Sequence, residues 1–235
     1  LVFRPATRHP EACSILFRVD MTAITPLALA EVLLITPKRH GDARGWFAET
    51  WSRKAMAEAG IEAEFVQDNQ AFNARAGTVR GLHFQTAPHA QAKLVRVLRG
   101  AIYDVAVDVR PGSPTFGRWA GAELTAQGGE QIFVPRGFAH GYSTLTDDCE
   151  LAYKVDGLYA PATEGGIIWN DPDLAIDWRV AGEPVLSDKD KALPRLRDLG
   201  MFSFESPLIL RGSIRLERRG RIPSPPALTG APRRQ

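Results

Sequence analysis

Residues 101–109, with the sequence AIYDVAVDV, place apolar side chains at every odd-numbered position, and this pattern constrains the fold more than any other feature. Asp104 and Asp108 occupy the alternate set of positions. Successive side chains of a β-strand point to opposite faces, so a period of two predicts a strand with one fully apolar face. A chain built around such a segment is expected to form sheets rather than helical bundles.

Three shorter stretches of the chain are also predicted to be strands. KLVRVLRG, EQIFVP and ELAYKV are predicted strands, separated by connections rich in proline and glycine such as RPGSPTFG, PRGFAHG and YAPATEGG. One helix is predicted from Ser52 to Ala59, with Ser52 as its N-cap and Gly60 as its stop. Many short strands with frequent turns predict a mainly β fold, a jelly-roll barrel or sandwich with a few short helices.

The 235 residues divide into three predicted parts. Residues 1–20 show no clear period and are interpreted as a leader that is not native or is disordered. Residues 21–205 form the predicted jelly-roll domain. Residues 206–235 are rich in arginine and proline and are predicted to be disordered, although SPLILRGSIRLE could pair as a strand.

Charge and composition exclude several classes of partner. The formal charge of +2 comes from the two ends, since residues 21–206 carry 19 basic and 24 acidic residues. The predicted domain is therefore mildly acidic, and no nucleic-acid partner is expected. No run of about 18 apolar residues is present, so no membrane span is expected. Two cysteines without metal-like spacing favour a reduced, cytoplasmic protein.

The stretch TVRGLHFQ, residues 78–85, places polar side chains in an otherwise apolar strand. His83 can be a core histidine with satisfied nitrogens, or it can line a site. Arg80 and His83 would point to opposite faces of a regular strand. Both can line one cavity only if the backbone between them is irregular, so a shared site predicts irregular backbone at residues 80–81, where Gly81 permits a bulge that turns Arg80 inward.

Several further residues are candidates on their residue type and position. Tyr153 can be a core tyrosine or a proton donor at a pocket, and Lys93 can lie in solvent or in a site. The QDN stretch at 67–69 ends a strand or binds hydroxyls and phosphates. No metal site is predicted, because the position two residues after His83 is Gln85 and the sequence contains no His-x-His. No glycine-rich phosphate loop occurs either.

Nine stretches, taken together and in order, resemble one family. They are GDARGWFAE, FVQDNQ, VRGLHFQ, AQAKLVRV, GAIYDVAVDVRPGSPTFGRW, FVPRGFAHGY, AYKVDGLYAP, IIWNDPDLAIDW and LSDKD. Over residues 24–200 the chain resembles the dTDP-4-dehydrorhamnose 3,5-epimerases, which have a cupin-type jelly-roll fold. The resemblance does not extend to residues 1–20 or to about 205–235.

The resemblance implies an isomerase and a substrate. The expected reaction inverts carbons 3 and 5 of dTDP-4-keto-6-deoxy-glucose to give dTDP-4-keto-L-rhamnose, on the route to dTDP-L-rhamnose. It also implies a site without metal or cofactor, a homodimer, and a reductase that consumes the product. The alternatives are a single-carbon epimerase, a 3,4-ketoisomerase and a sugar-nucleotide-binding cupin without catalysis; a metal-dependent cupin oxygenase is disfavoured.

The resemblance also implies roles for individual residues. By matching motifs, His83 is expected to be the general base with Asp190 as its carboxylate partner, Tyr153 the general acid, and Lys93 the cation that stabilises the enolate. The expected substrate-binding residues are Arg44, Glu49, Gln67, Asn69, Arg80, His140, Tyr159, Glu164 and Lys189. A histidine suits proton abstraction next to a ketone because its ordinary pKa lies close to neutral pH.

Overall fold

The computed structural model describes residues 17–19, 22–200 and 203–204, and antiparallel strands dominate this part of the chain. The larger sheet consists of β1 (Phe17–Val19), β2 (Thr22–Pro26), β3 (Leu33–Pro37), β6 (Gln67–Asn73), β8 (Lys93–Arg99), β11 (Gln131–Val134) and β13 (Cys149–Val155). Its strand order is β1-β2-β3-β11-β8-β13-β6.

The smaller sheet has five strands. These are β7 (Val79–Gln85), β9 (Ala101–Asp108), β10 (Trp119–Thr125), β12 (Phe138–Thr144) and β14 (Glu164–Gly166), in the order β10-β9-β12-β7-β14. A hairpin of β4 (His40–Asp42) and β5 (Gly45–Phe47) stands apart from both sheets. The helices are α1 (Arg53–Glu58), α2 (Asp188–Lys191) and two 3₁₀ turns, Pro161–Thr163 and Leu196–Asp198.

The two sheets pack face to face around an apolar core, as expected for the predicted jelly-roll class. The core contains Val95, Val97, Ile132 and Leu151 from the larger sheet and Ile102, Ala106 and Leu124 from the smaller. Strand β9 lies between β10 and β12 in continuous antiparallel register, so both of its edges are paired. The face that carries Asp104 and Asp108 is the inner face, and both aspartates are fully buried.

The outer faces of the sheets are covered by the connecting segments. The apolar face of β9 predicted from the odd-numbered residues packs under the C-terminal segment, where Leu174, Trp178 and Leu196 are buried against it. Helix α1 contributes Met56 to a third cluster. The predicted helix is confirmed: Ser52 is the N-cap, its hydroxyl accepting from the amide of Ala55, and Gly60 follows in a left-handed conformation.

The described residues include only part of the two ends of the chain for which predictions were made. Strand β1 lies inside the predicted leader and pairs antiparallel with β2. The SPLILRGSIRLE stretch and nearly all of the predicted tail lie outside the described residues. The leader, domain and tail boundaries therefore stay predictions. Among the described residues, no helix has the length and apolar character needed to cross a bilayer.

Candidate active site

At one end of the space between the sheets the inner faces become polar and open into two adjoining cavities. The first, of about 430 Å³, is lined by Ala71, Thr78, Val79, Arg80, His83, Lys93, His140, Tyr142, Tyr153, Val185, Leu186, Ser187, Lys189 and Asp190. The second, of about 300 Å³, is lined by Gln67, Asn69, His83, Phe84, Gln85, Gln91, Lys93, Tyr153, Val155, Tyr159 and Glu164. His83, Lys93 and Tyr153 line both cavities, so these three side chains stand where the cavities meet.

An irregularity in β7 brings Arg80 and His83 to the same cavity. The pairing of β7 with β12 shifts register opposite residues 140–142, and Gly81 has a φ of 113°. A Cβ at Gly81 would lie 2.7 Å from the Cα of Gly141 and from the carbonyl oxygen of His140. The peptide bond between Gly81 and Leu82 is cis. The register shift and the positive φ confirm the predicted irregular backbone at 80–81, and the close approach of Gly141 leaves room only for glycine there.

His83 forms a close pair with Asp190. Its Nε2 lies 2.7 Å from Oδ1 of Asp190, which leaves Nδ1 as the ring nitrogen able to take up a proton. Asp190 belongs to α2 and is buried, and its amide donates to the hydroxyl of Ser187, the N-cap of that helix. Burial lowers the pKa of His83 below its ordinary value, although the charge of Asp190 opposes this shift. The imidazole is therefore neutral at neutral pH, the state required of a base.

A second histidine and aspartate pair stands beside the first. His140 lies directly opposite His83 in the pairing of β12 with β7, and its Nε2 is 3.0 Å from both carboxylate oxygens of Asp104. His140 was predicted from the sequence, but Asp104 was not. The sequence could have indicated Asp104, because it is an aspartate in the middle of an apolar strand.

Lys93 is the cation at the junction of the cavities. Its side chain is half-buried, and burial lowers the pKa of Lys93 to about 8, although the carboxylates of Asp104 and Glu164 oppose the shift. A pKa near 8 leaves the ammonium mostly protonated at neutral pH. It is also low enough for the group to donate a proton readily.

Two tyrosines line the first cavity. Burial raises the pKa of Tyr153 above its ordinary value, and burial raises the pKa of Tyr142 to about 12. Both phenols therefore keep their protons at neutral pH and are available as donors. The sequence analysis missed Tyr142, although it lies two residues after His140 on the same strand and so shares its face.

Polar side chains surround the second cavity. The amide of Gln67 donates to Oδ1 of Asn69 at 2.8 Å. Glu164 accepts a hydrogen bond of 2.9 Å from the hydroxyl of Tyr159 and one of 2.6 Å from Nζ of Lys189. These five residues were predicted from the sequence, and the fold brings them to the rims of the two cavities.

Arg44 and Glu49 are the two predicted site residues that the described fold leaves outside both cavities. Arg44 lies in the turn of the β4–β5 hairpin, where its guanidinium is exposed and bonds to Asp42. Glu49 follows the hairpin and is exposed. Their predicted roles at the substrate stay predictions.

The barrel with a polar interior at one end, a neutral imidazole and protonated phenols defines a class: a cupin-type jelly-roll protein with a site suited to acid–base chemistry. The particular family follows from comparison with known proteins. Residues 26–198 match the family described as dTDP-4-dehydrorhamnose 3,5-epimerase, and the chain belongs to that family.

Individual relatives agree with this assignment. The dTDP-4-dehydrorhamnose 3,5-epimerase of Sinorhizobium fredii is 50% identical over 185 residues, which cover 77% of this chain and 93% of the relative. The Bacillus anthracis epimerase structure, with TDP and PPi bound, superposes with a TM-score of 0.69 at 48% identity, covering 71% of this chain and 94% of that one.

A second structure carries a sugar nucleotide. The Legionella pneumophila epimerase, in complex with dTDP-4-keto-L-rhamnose, has a TM-score of 0.73 and 42% identity, and the match covers 76% of this chain and 95% of that chain. The predicted fold class and family are therefore confirmed.

Proposed function

We propose that this protein inverts carbons 3 and 5 of dTDP-4-keto-6-deoxy-glucose and so produces dTDP-4-keto-L-rhamnose. The observation that carries the proposal is the junction of the two cavities, where one base, one phenol and one cation face the same space. The Legionella relative in complex with the product sugar nucleotide supports the same substrate class.

The reaction needs these groups because of the ketone at carbon 4. The ketone acidifies the C–H bonds at carbons 3 and 5, and inversion removes a proton from one face of the ring and returns one to the other. Nδ1 of His83 accepts the proton, and the carboxylate of Asp190 stabilises the imidazolium that forms. The hydroxyl of Tyr153 then donates a proton to the opposite face of the carbon.

Negative charge collects on the carbon-4 oxygen between the two proton transfers. We assign stabilisation of this enolate to the ammonium of Lys93, since a prepositioned donor of this kind lowers the barrier by about 3–4 kcal/mol. The same groups serve carbon 5 and then carbon 3 as the ring shifts in the pocket. No electrons leave the substrate, so the balanced reaction calls for no redox cofactor.

The experiment is proton NMR of the sugar nucleotide in deuterated water. We expect deuterium at both carbons with the parent enzyme and at neither with His83→Asn. Tyr153→Phe is expected to retain exchange by His83 while losing net inversion, because the abstracted proton can return only to the face from which it left. Deuterium at one carbon alone would favour the single-carbon epimerase, and dTDP binding without any exchange would favour the non-catalytic cupin.

The homodimer forms part of the proposal, and the positions of Arg44 and Glu49 support it. Both residues match substrate-binding positions of the family, yet they lie outside this chain's cavities. The neighbouring Trp46 and Phe47 are 59% and 68% exposed, an unusual position for aromatic side chains. The hairpin is suited to reach the site of a second copy.

A mixing experiment tests this part of the proposal. One variant carries Arg44→Ala with Glu49→Ala, and the other carries His83→Asn. If the hairpin serves the second copy, mixed dimers contain one complete site and recover part of the parent activity. Absence of recovery in dimers shown to have exchanged subunits would contradict the exchange of hairpins.

The setting of the reaction completes the proposal. The product retains its ketone at carbon 4, so a reductase is the expected next enzyme on the route to dTDP-L-rhamnose. We place the protein in the cytoplasm, where thiols stay reduced. Cys149 is a free, buried thiol, which agrees with that location.

A further inference from the structure

Arg80 is exposed in the first cavity and is held there by few contacts. Its described hydrogen bonds are a short one of 2.8 Å from Nε to Oδ1 of Asn73 and a long one of 3.4 Å from a terminal nitrogen to the carbonyl of Phe72. An arginine with so much rotational freedom does not keep one geometry unless a fixed group holds it. The side chain of Asn73 is that group.

Asn73 is itself fixed by the fold. It ends β6, is 3% exposed, and lies opposite Cys149 in the pairing with β13. Its Nδ2 donates to the carbonyl of Cys149 at 3.4 Å, which leaves Oδ1 facing Arg80 and Tyr142, two residues that line the first cavity. There Oδ1 accepts from Arg80 and, at 3.4 Å, from the hydroxyl of Tyr142.

The chemistry of an amide suits this position. Asparagine offers a neutral acceptor, so it orients the guanidinium without cancelling its charge. An aspartate in the same place would form an ion pair and neutralise the cation that an anionic ligand needs. The bond to Asn73 uses Nε and the long contact with Phe72 uses one terminal nitrogen. The other terminal nitrogen has no hydrogen bond among the described residues, so it is available to an anion in the cavity that Arg80 lines.

We propose that Asn73 is a positioning residue that fixes Arg80 as an uncompensated cation for the diphosphate of the sugar nucleotide. The proposal rests on the proposed function, because it takes a dTDP-linked ligand as given. It assigns to the end of β6 a role that neither the sequence motifs nor the catalytic groups require.

A double-mutant cycle on dTDP binding, measured by calorimetry, tests the proposal. We expect Asn73→Ala to raise the Kd for dTDP by about 5–20-fold in the parent background, the size of effect that follows from losing one oriented, charged contact. In an Arg80→Ala background the same change is expected to alter Kd by less than twofold, because Asn73 acts through Arg80. Equal effects in the two backgrounds, or no effect in either, would overturn the proposal.

A matched control separates positioning from folding. Ser143 is a fully buried strand residue whose hydroxyl donates to the carbonyl of Trp178 on the outer side of the sheet. Ser143→Ala removes a buried hydrogen bond, as Asn73→Ala does, and is expected to leave the dTDP Kd within twofold of the parent. If Ser143→Ala weakens dTDP binding as much as Asn73→Ala does at equal loss of Tm, the effect is structural and the positioning role is wrong.

Failure of this inference differs from failure of the proposed function. A parent protein that does not bind dTDP contradicts the proposed function. A parent that binds dTDP and exchanges deuterium, with Asn73→Ala unchanged in Kd, contradicts the inference alone.

Discussion

The two histidine and aspartate pairs of the cavity use the same side chains in different settings. His83 and His140 are direct cross-strand neighbours. The His83 side chain is 31% exposed and bonds to one oxygen of Asp190, whereas the His140 side chain is 8% exposed and is equidistant from both oxygens of Asp104. Access to the cavity, rather than residue type, therefore distinguishes the proposed base, His83, from the more deeply buried His140.

The origins of the two carboxylates differ as well. Asp104 comes from β9, the strand adjacent to His140, so sheet register alone brings the pair together. Asp190 comes from α2, in the segment that follows the last strand, and it reaches His83 only because that segment folds back over the smaller sheet. The His140–Asp104 pair is built into the barrel, and the His83–Asp190 pair is completed from outside it.

The largest expected effect distinguishes the two imidazoles. His83→Asn is expected to lower kcat for inversion by at least about 10³-fold, because it removes the base while keeping a polar side chain of similar size. His140→Asn is the matched change in the second pair, and its loss should be at least tenfold smaller. Steady-state kinetics on both variants measure the difference, and equal losses of kcat would contradict the assignment of different roles to His83 and His140.

The second-largest effect is expected from removing the charge of Asp190. Asp190→Asn is expected to lower kcat by about 10²-fold or more, because the imidazolium that forms during the reaction loses its partner. The charge of Asp190 raises the pKa of His83 against the larger effect of burial. Its loss should therefore lower that pKa further and move the acidic limb of the kcat/KM profile to lower pH. A shift to higher pH would contradict this assignment.

The close approach of β7 and β12 supports both pairs. Gly81→Ala places a Cβ against backbone atoms in a conformation with positive φ, and it should reduce the free energy of unfolding by about 2 kcal/mol or more. Gly182 has a φ of 82° with open space around it, so Gly182→Ala isolates the backbone cost. In urea denaturation, Gly81→Ala should lower the free energy of unfolding more than Gly182→Ala does. The reverse order would show that the close approach of β7 and β12 adds no cost beyond the backbone conformation.

Asp104→Asn is expected to have a more modest effect of a different kind. We expect kcat at pH 7 to fall by about tenfold. The charge of Asp104 raises the pKa of Lys93, which burial lowers to about 8. Without the charge of Asp104 the pKa of Lys93 falls further, so the alkaline limb of the kcat/KM profile moves to lower pH. Asp190→Asn provides the contrast, because it should move the acidic limb; a variant of Asp104 with an unmoved alkaline limb would refute the link to Lys93.

The smallest expected effect comes from the C-terminal end. Both pairs lie within residues 83–190, so deletion of residues 206–235 should leave kcat/KM within about twofold of the parent. Inversion kinetics of the truncated chain test this directly. A large loss would mean that the domain boundary near residue 205 was drawn too early.

Local patterns in the sequence predicted much of the fold. The period of two in residues 101–109 predicted β9, and the capping signals around Ser52 and Gly60 predicted α1. These predictions hold because strand parity and helix caps depend on near neighbours. The predicted distortion at Gly81 followed from parity together with the family motifs, because the motifs assign Arg80 and His83 to one site and a regular strand would point them to opposite faces.

Residue identity and strand parity, together with the family motifs, determined the strands, their inner faces and most of the candidate acid–base groups. Only the tertiary structure decided that Asp104 partners His140, that Asn73 holds Arg80, and that Arg44 and Glu49 lie outside the cavities. Those outcomes depend on register between strands and on the docking of remote segments. They arise from packing between residues far apart in the chain, which no local pattern encodes.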